Sequence, residues 1–313
     1  MGIGVIETLV KVHRLGRAMH PGLTLKSIKH QVFLLCRALV FLPGVRKWFE
    51  ISDNPLLTRA LKRFPMISGA IYWPYINHIW PMKQRLSAID QHFRMLDGRA
   101  TILAKAMFEE VELARLDEVY TGLRLVLDKA EWFIREGEVV LNLFVNDLRY
   151  FSVAFTLGMD NDKPLIFVGA LQGSNSDSAQ GVYRDLTHAL HGMRPRDFLI
   201  VALKLLCMEL DIHRIWAVSS DCRQHNSPYF GGVHKERVLL AYNNVWTEHG
   251  GLALDNGFFD IPAVVRHKNM SEIPTRKRAA YRRRYVMLDK LALDIQASCA
   301  RYAAKSSAVG AKI

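Results

Sequence analysis

Between Leu123 and Leu171 the apolar residues leave helical spacing and fall into short runs separated by turn residues. Leu123, Leu125 and Leu127 recur at the two-residue period of a strand. Val139 to Val145 and Tyr150 to Leu157 follow, with Gly137 and Asn146-Asp147 supplying turn chemistry. Leu165 to Leu171 is an unbroken apolar run, which suits a strand buried on both faces. Strands joined this closely pair most simply as an antiparallel meander. A Ser-rich loop, Gly173 to Ser178, then leads into a helix over Val182 to Leu190. Pro195 opens a second helix at a position where its missing N–H costs nothing. Arg214 to Ser219 reads as another buried strand. The order predicts an α+β fold, with a central, mostly antiparallel sheet, helix crossovers and a helical region in front.

Three zones follow. Residues 1–98 form a helical region interrupted by Pro43, Pro55, Pro65, Pro74 and Pro81, with Thr24 as an N-cap and helical spacing over Met82 to Leu96. Its clustered aromatics, Tyr72, Trp73, Tyr75 and Trp80, suit a core or interface, or alternatively a platform for a ligand or membrane surface. Residues 99–265 form the α+β core, closed by a turn at Asp255-Asn256-Gly257 and a short strand from Phe258 to Pro262. Residues 266–313 hold a basic amphipathic helix, with Tyr281, Tyr285, Leu288, Ala292 and Ile295 on one stripe, and a tail that frays from Lys305.

The longest early apolar run, Val32 to Leu42, is broken by Arg37 and stopped by Pro43, short of the roughly 20 residues of a membrane span. Met1 to Val10 lacks the pattern of a secretory signal. The expected location is cytoplasmic, or peripheral at the inner membrane. Cys36, Cys207, Cys222 and Cys299 are scattered without ligand spacing, so buried free thiols are expected and no metal site.

Lys and Arg number 42 against 30 Asp and Glu, a net charge of +12. That surplus favours anionic lipid, phosphorylated ligands or nucleic acid. In the first cationic cluster, Arg184, His188 and His191 are spaced by four and three, so a helix brings them to one face. Arg194 and Arg196 flank the start of the next helix, whose free N–H groups favour anions. Together the five make an anion-binding candidate; solvated arginines and structural histidines are the alternative. The second cluster, Arg276, Lys277, Arg278, Arg282, Arg283 and Arg284, gives a cationic face suited to an anionic bilayer or a nucleic-acid backbone. His225, shortly after a buried strand, is the candidate general base. No helix-turn-helix, RNA-recognition motif or P-loop is visible, so a nucleic-acid-binding regulator rests on charge alone.

Several strings resemble the VirK/YbjX family of Gram-negative bacteria. They are Val168-Gly169-Ala170-Leu171-Gln172-Gly173, Leu190-His191-Gly192-Met193-Arg194-Pro195 with Leu186-Thr187-His188 before it, Ala217-Val218-Ser219-Ser220, Asp255 to Pro262, and Tyr281 to Tyr285. The likeness runs from about Phe33 to Leu291. One departure is Asn243, where the family pattern suggests an acidic residue. The resemblance implies a role in virulence, envelope integrity, display of outer-membrane proteins and resistance to cationic antimicrobial peptides, with no established reaction. A second reading rests on layout alone. A meander, a buried strand, helices and a following strand match the GNAT acyltransferases, which bind acyl-coenzyme A at the loop after the central strand. Here that loop is Gln172 to Asp177, and the usual glycine-rich string is missing. The first reading needs no cofactor.

Overall fold

The computed structural model describes residues 4–51, 54–96, 100–174, 176, 179–230 and 241–310. Gly98, at the first zone boundary, and Asn175, Asp177 and Ser178 of the Ser-rich loop lie outside them. The first zone holds α1 (Val5–Met19), α2 (Leu25–Val40), α3 (Leu42–Ile51), α4 (Pro55–Arg63), a short 3-10 segment (Pro65–Ile71) and α5 (Met82–Leu96). Then come α6 (Thr101–Ala106), β1 (Val111–Arg115), β2 (Leu123–Asp128), β3 (Val139–Val145), β4 (Leu148–Asp160), β5 (Lys163–Gly173), α7 (Ala179–Ala189), α8 (Pro195–Glu209) and β6 (Arg214–Val218). Last are α9 (Tyr242–Glu248), β7 (Leu252–Ala253), β8 (Phe258–Pro262) and α10 (Thr275–Gly310).

The fold is α+β, as the strand runs predict. Eight strands lie in the order β1-β2-β3-β4-β5-β6-β8-β7. Every pairing is antiparallel except β5 with β6, which the α7–α8 crossover makes parallel. The Thr24 side chain caps α2 at Ser27, and Pro195 takes the first turn of α8. α10 keeps its helical backbone to Gly310, beyond the fraying that small residues predict from Lys305. The main hydrophobic core runs from Val12 on α1 to Ile295 on α10, with a smaller cluster of Ala130, Phe133, Val140, Ala154 and Ala170 on the other face of the sheet. The aromatic cluster of the first zone belongs to it: Trp80 packs edge-on against Phe167 at 5.0 Å. The thiols differ from expectation, since Cys207 is buried but Cys36 is exposed on α2. Among the described residues no single helix is long and apolar enough to cross a membrane, although α2 and Leu42–Glu50 of α3, joined at a 92° bend, pass that test as a pair.

A bulge sets the centre of the sheet. Ala154 pairs with Ala170 and Phe155 with Val168, so Gly169 is left unpaired in β5. A side chain there would lie 2.1 Å from the carbonyl oxygen of Glu136. The β2–β3 connection presses onto the sheet at this point, and only a glycine lets backbone approach so closely. Two acidic groups are buried with it. Glu138 meets Lys129 at 2.7 Å and accepts from the Tyr75 hydroxyl at 3.0 Å. Glu136 accepts from the Gln172 amide at 3.2 Å. Burial pushes the Glu136 carboxyl up to about 7, against the pull of Arg223, Gln224 and Arg135. On the other edge, β4 outruns β3, and α5 satisfies the exposed strand: Leu157 N donates to His92 Nδ1 at 3.1 Å and Met159 N to Gln91 Oε1 at 3.0 Å.

Gly169→Ala should cost about 2 kcal/mol or more in urea denaturation, because backbone on both sides must move; an unchanged midpoint would contradict the close approach. Glu136 holds its proton more tightly folded than unfolded, where its value is 4.5, so the native state loses stability as pH rises through about 7. Glu136→Gln should therefore gain on the wild type between about pH 5 and about pH 8, by roughly 3 kcal/mol at the upper end. Parallel stability–pH curves would show that burial does not perturb this carboxyl.

Candidate functional site

The end of α7 fixes the place of His191. Gly192 N donates to Thr187 O at 2.7 Å and His191 N to His188 O at 3.0 Å. This pair of bonds is a Schellman closure, which needs a left-handed residue just past the helix. His191 takes that role with φ 53°, followed by Gly192 at φ 80°. Glycine is the ordinary occupant, and a side chain there costs about 1 kcal/mol. The turn sets His191 against α10, where Arg284 Nη2 donates to the His191 carbonyl at 2.7 Å. Burial, with Arg283, Arg284 and His188 nearby, holds the imidazole below its ordinary value.

A groove of about 460 Å³ lies here. His191, Arg282, Arg283 and Lys290 line it together with Leu116, Val119, Val286 and Met287. Its one carboxylate, Glu118, is held by Lys290. Among the described residues the ion pairs of α10 are those of Asp289 and Lys290, so Arg282 and Arg283 carry unneutralised charge. Val286 beside them is 70% exposed. Such a surface can hold a phosphate or carboxylate next to an apolar chain. The rest of the basic segment divides. Arg276 and Lys277 are exposed, Arg278 Nε donates to Ile273 O at 2.9 Å, and the Arg284 guanidinium lies 4.3 Å over the Tyr281 ring.

The five residues of the first cationic cluster are not brought together. Arg184 and His188 are exposed on α7 and do not line the groove. Arg194 is paired to Asp197 at 2.5 Å and to Glu248 at 2.5 Å; Arg196 meets Glu248 at 2.7 Å. Asp197, in the first turn of α8, already supplies negative charge at that helix end. Burial opposes its charge, but hydrogen bonds from His249 and Arg194 hold its pKa below the ordinary carboxylate value. The α8 terminus is thus satisfied by the chain's own carboxylates.

β5 and β6 pair only from Leu165 to Val168, after which β5 runs on to Gly173 while β6 stops at Val218. The split between them is filled. The Tyr242 hydroxyl accepts from Leu171 N at 2.7 Å and donates to Leu171 O at 2.9 Å. Trp246 Nε1 donates to Val218 O at 2.8 Å. Both side chains are buried, so α9 stands in for the missing strand pairing. The departure at Asn243 has a local use, since its Oδ1 accepts from Ser220 N at 2.8 Å, as a carboxylate oxygen could also do. His225 sits half-buried in a short 3-10 turn, Gln224–Asn226, beyond β6 and apart from the groove residues.

Sequence reading missed Lys290, Val286 and Glu118 as neighbours of His191, and Glu136 as a perturbed carboxyl. A signal for Lys290 and Val286 was present, since the basic and apolar stripes of α10 continue past Tyr285; Glu118, between β1 and β2, had none.

A family model described as a protein of unknown function, DUF535, matches residues 24–297. The uncharacterised protein YbjX of Escherichia coli (strain K12) is 29% identical over 273 residues, 83% of this chain and 80% of that one. An uncharacterised protein of Haemophilus influenzae is 29% identical over 238 residues, 73% of this chain and 76% of its own length. A Mannheimia haemolytica protein called membrane protein LapB is 25% identical over 162 residues, 51% of this chain and 70% of its own length. No solved structure gives a significant match. The family match over most of the sequence, together with the YbjX likeness, establishes that the chain belongs to the DUF535 family, the YbjX-related family that its motifs resemble.

Proposed function

We propose that this protein supports the bacterial envelope by engaging a phosphate-bearing partner, an anionic lipid surface or a phosphorylated ligand, through the groove between α7 and α10. The observation that carries the reading is the pair of unneutralised cations, Arg282 and Arg283, with the His191 imidazole and exposed Val286 beside them. The protein would act as a peripheral component at the cytoplasmic face of the inner membrane. Surface display of outer-membrane proteins and resistance to antimicrobial peptides would be consequences of that contact. The relative called a membrane protein supports the location through its name alone.

A parallel β5–β6 pair that parts at the Gly169 bulge supports a second reading, GNAT-like acyl transfer from acyl-coenzyme A. It requires Tyr242 and Trp246 to leave the split. Thermal stabilisation by millimolar acyl-coenzyme A would carry that reading, since a ligand that binds the native state must stabilise it; no shift would end it.

The envelope reading is tested by flotation with vesicles containing phosphatidylglycerol at low salt. The wild type should float and Arg282→Ser/Arg283→Ser should not, with salt suppressing binding. Equal retention of both proteins would remove the groove from the reading. If the same variant instead loses salt-dependent retention on DNA but still floats, the partner is a nucleic acid. His191 offers a sharper test. His191→Gly should keep or raise stability by up to about 1 kcal/mol, because glycine suits the left-handed turn. It should also flatten the strengthening of vesicle binding expected as pH falls and an anion in the groove helps draw a proton onto the imidazole. A destabilised variant with an unaltered binding profile would show that His191 serves the turn alone.

A further inference from the structure

A second cationic site lies far from α10 in sequence. A cavity of about 430 Å³ is lined by Phe33, Arg37, Tyr72, Trp80, Arg85 and Tyr229, among others. Arg85, on α5, is 6% exposed. One of its terminal nitrogens donates to the carbonyl of Trp73, but its Nε is buried without a partner. Arg37, on α2, likewise has a buried Nε without a partner, and its guanidinium lies 5.2 Å over the Phe41 ring. The charged neighbour that perturbs Arg85 is another cation: burial first, then Arg37, brings its pKa down to about 10. Among the described residues neither arginine has a carboxylate partner, in contrast to Arg194, Arg196 and Arg214.

Burying a guanidinium without a counter-charge is costly, and setting two side by side adds repulsion. A fold that keeps both has a use for an anion between them. The surroundings say what kind. Phe33, Tyr72, Trp80 and Tyr229 present aromatic rings, joined by Pro74, Pro81 and Met82, with His78 and Ser227 as the other polar residues of the lining; walls this apolar suit an apolar body. α2 and its C-cap add apolar surface at the rim of the cavity itself, where Phe33 is 44% and Phe41 37% exposed. A free inorganic ion would leave this surface without a role.

We infer that Arg37 and Arg85 form a second anion site, separate from the α7–α10 groove, that takes the carboxylate or phosphate head of a single-chain or lipid amphiphile while the aromatic walls and α2 hold its apolar part.

The test is calorimetric titration of the full chain with dodecyl phosphate below its micelle concentration, beside inorganic phosphate and an uncharged dodecyl maltoside. Dodecyl phosphate should bind at least about tenfold tighter than either control. Arg37→Gln should weaken it about tenfold or more, the loss expected from removing a charge-assisted contact. The Arg282→Ser/Arg283→Ser protein, which lacks the groove's cations, should still bind dodecyl phosphate, and adding Arg37→Gln to it should remove that binding, which separates this site from the groove. Arg85→Met should keep its thermal midpoint without ligand and lose the stabilisation that dodecyl phosphate gives; should that variant not fold, Arg37→Gln carries the test. Unchanged binding by Arg37→Gln would overturn the site. Inorganic phosphate or the maltoside binding as tightly as dodecyl phosphate would overturn the amphiphile.

Discussion

The carbonyl of Glu136 occupies the space that a side chain at residue 169 would fill, and much of the architecture depends on that contact. It lets the β2–β3 connection lie on the sheet and bury Glu136, Glu138 and Lys129 beneath it. The same bulge ends the β5–β6 pairing, so strand edges open where a cofactor cleft would be expected on the acyltransferase layout. Unpaired backbone in that position is unfavourable. Tyr242 and Trp246 supply the missing partners, and the opening becomes core.

Polar groups are therefore used in two distinct ways. Around the β2–β3 connection, charges are matched: Glu138 with Lys129, and Asp128 with Arg149 at 2.6 Å. At the α8 terminus, Asp197 and Glu248 take up Arg194 and Arg196. The net charge of +12 consequently concentrates where no carboxylate answers it. Arg282 and Arg283 on α10 are the exposed case, and Arg85 is the buried one. This division, more than total charge, distinguishes surfaces suited to an external anion from arginines that hold the fold together.

The sheet centre was legible because its signals are local. Two-residue periodicity, Asn146-Asp147 and Pro195 each act within a few residues. β1 escaped notice because Glu112, Leu113, Ala114 and Arg115 are good helix formers, held extended by pairing to β2 and by Ser298 Oγ donating to Leu113 O at 2.8 Å. The plugging of the split was invisible for a similar reason, since Tyr242 and Leu171 are 71 residues apart. At the site, the sequence placed His191 and α10 in separate candidates. A left-handed turn joins them, and the following Gly192 was its one local trace.

The central claim is that anions meet this protein at the α7–α10 groove and not in the β5–β6 split. Titrating dihexanoyl phosphatidic acid into protein selectively ¹⁵N-labelled at His, Arg, Leu and Tyr, and following amide shifts by NMR, addresses it residue by residue. The account predicts saturable shifts at His191 and Arg283 while Leu171 and Tyr242 stay still. Shifts centred on Leu171 and Tyr242, with His191 and Arg283 unmoved, would contradict it.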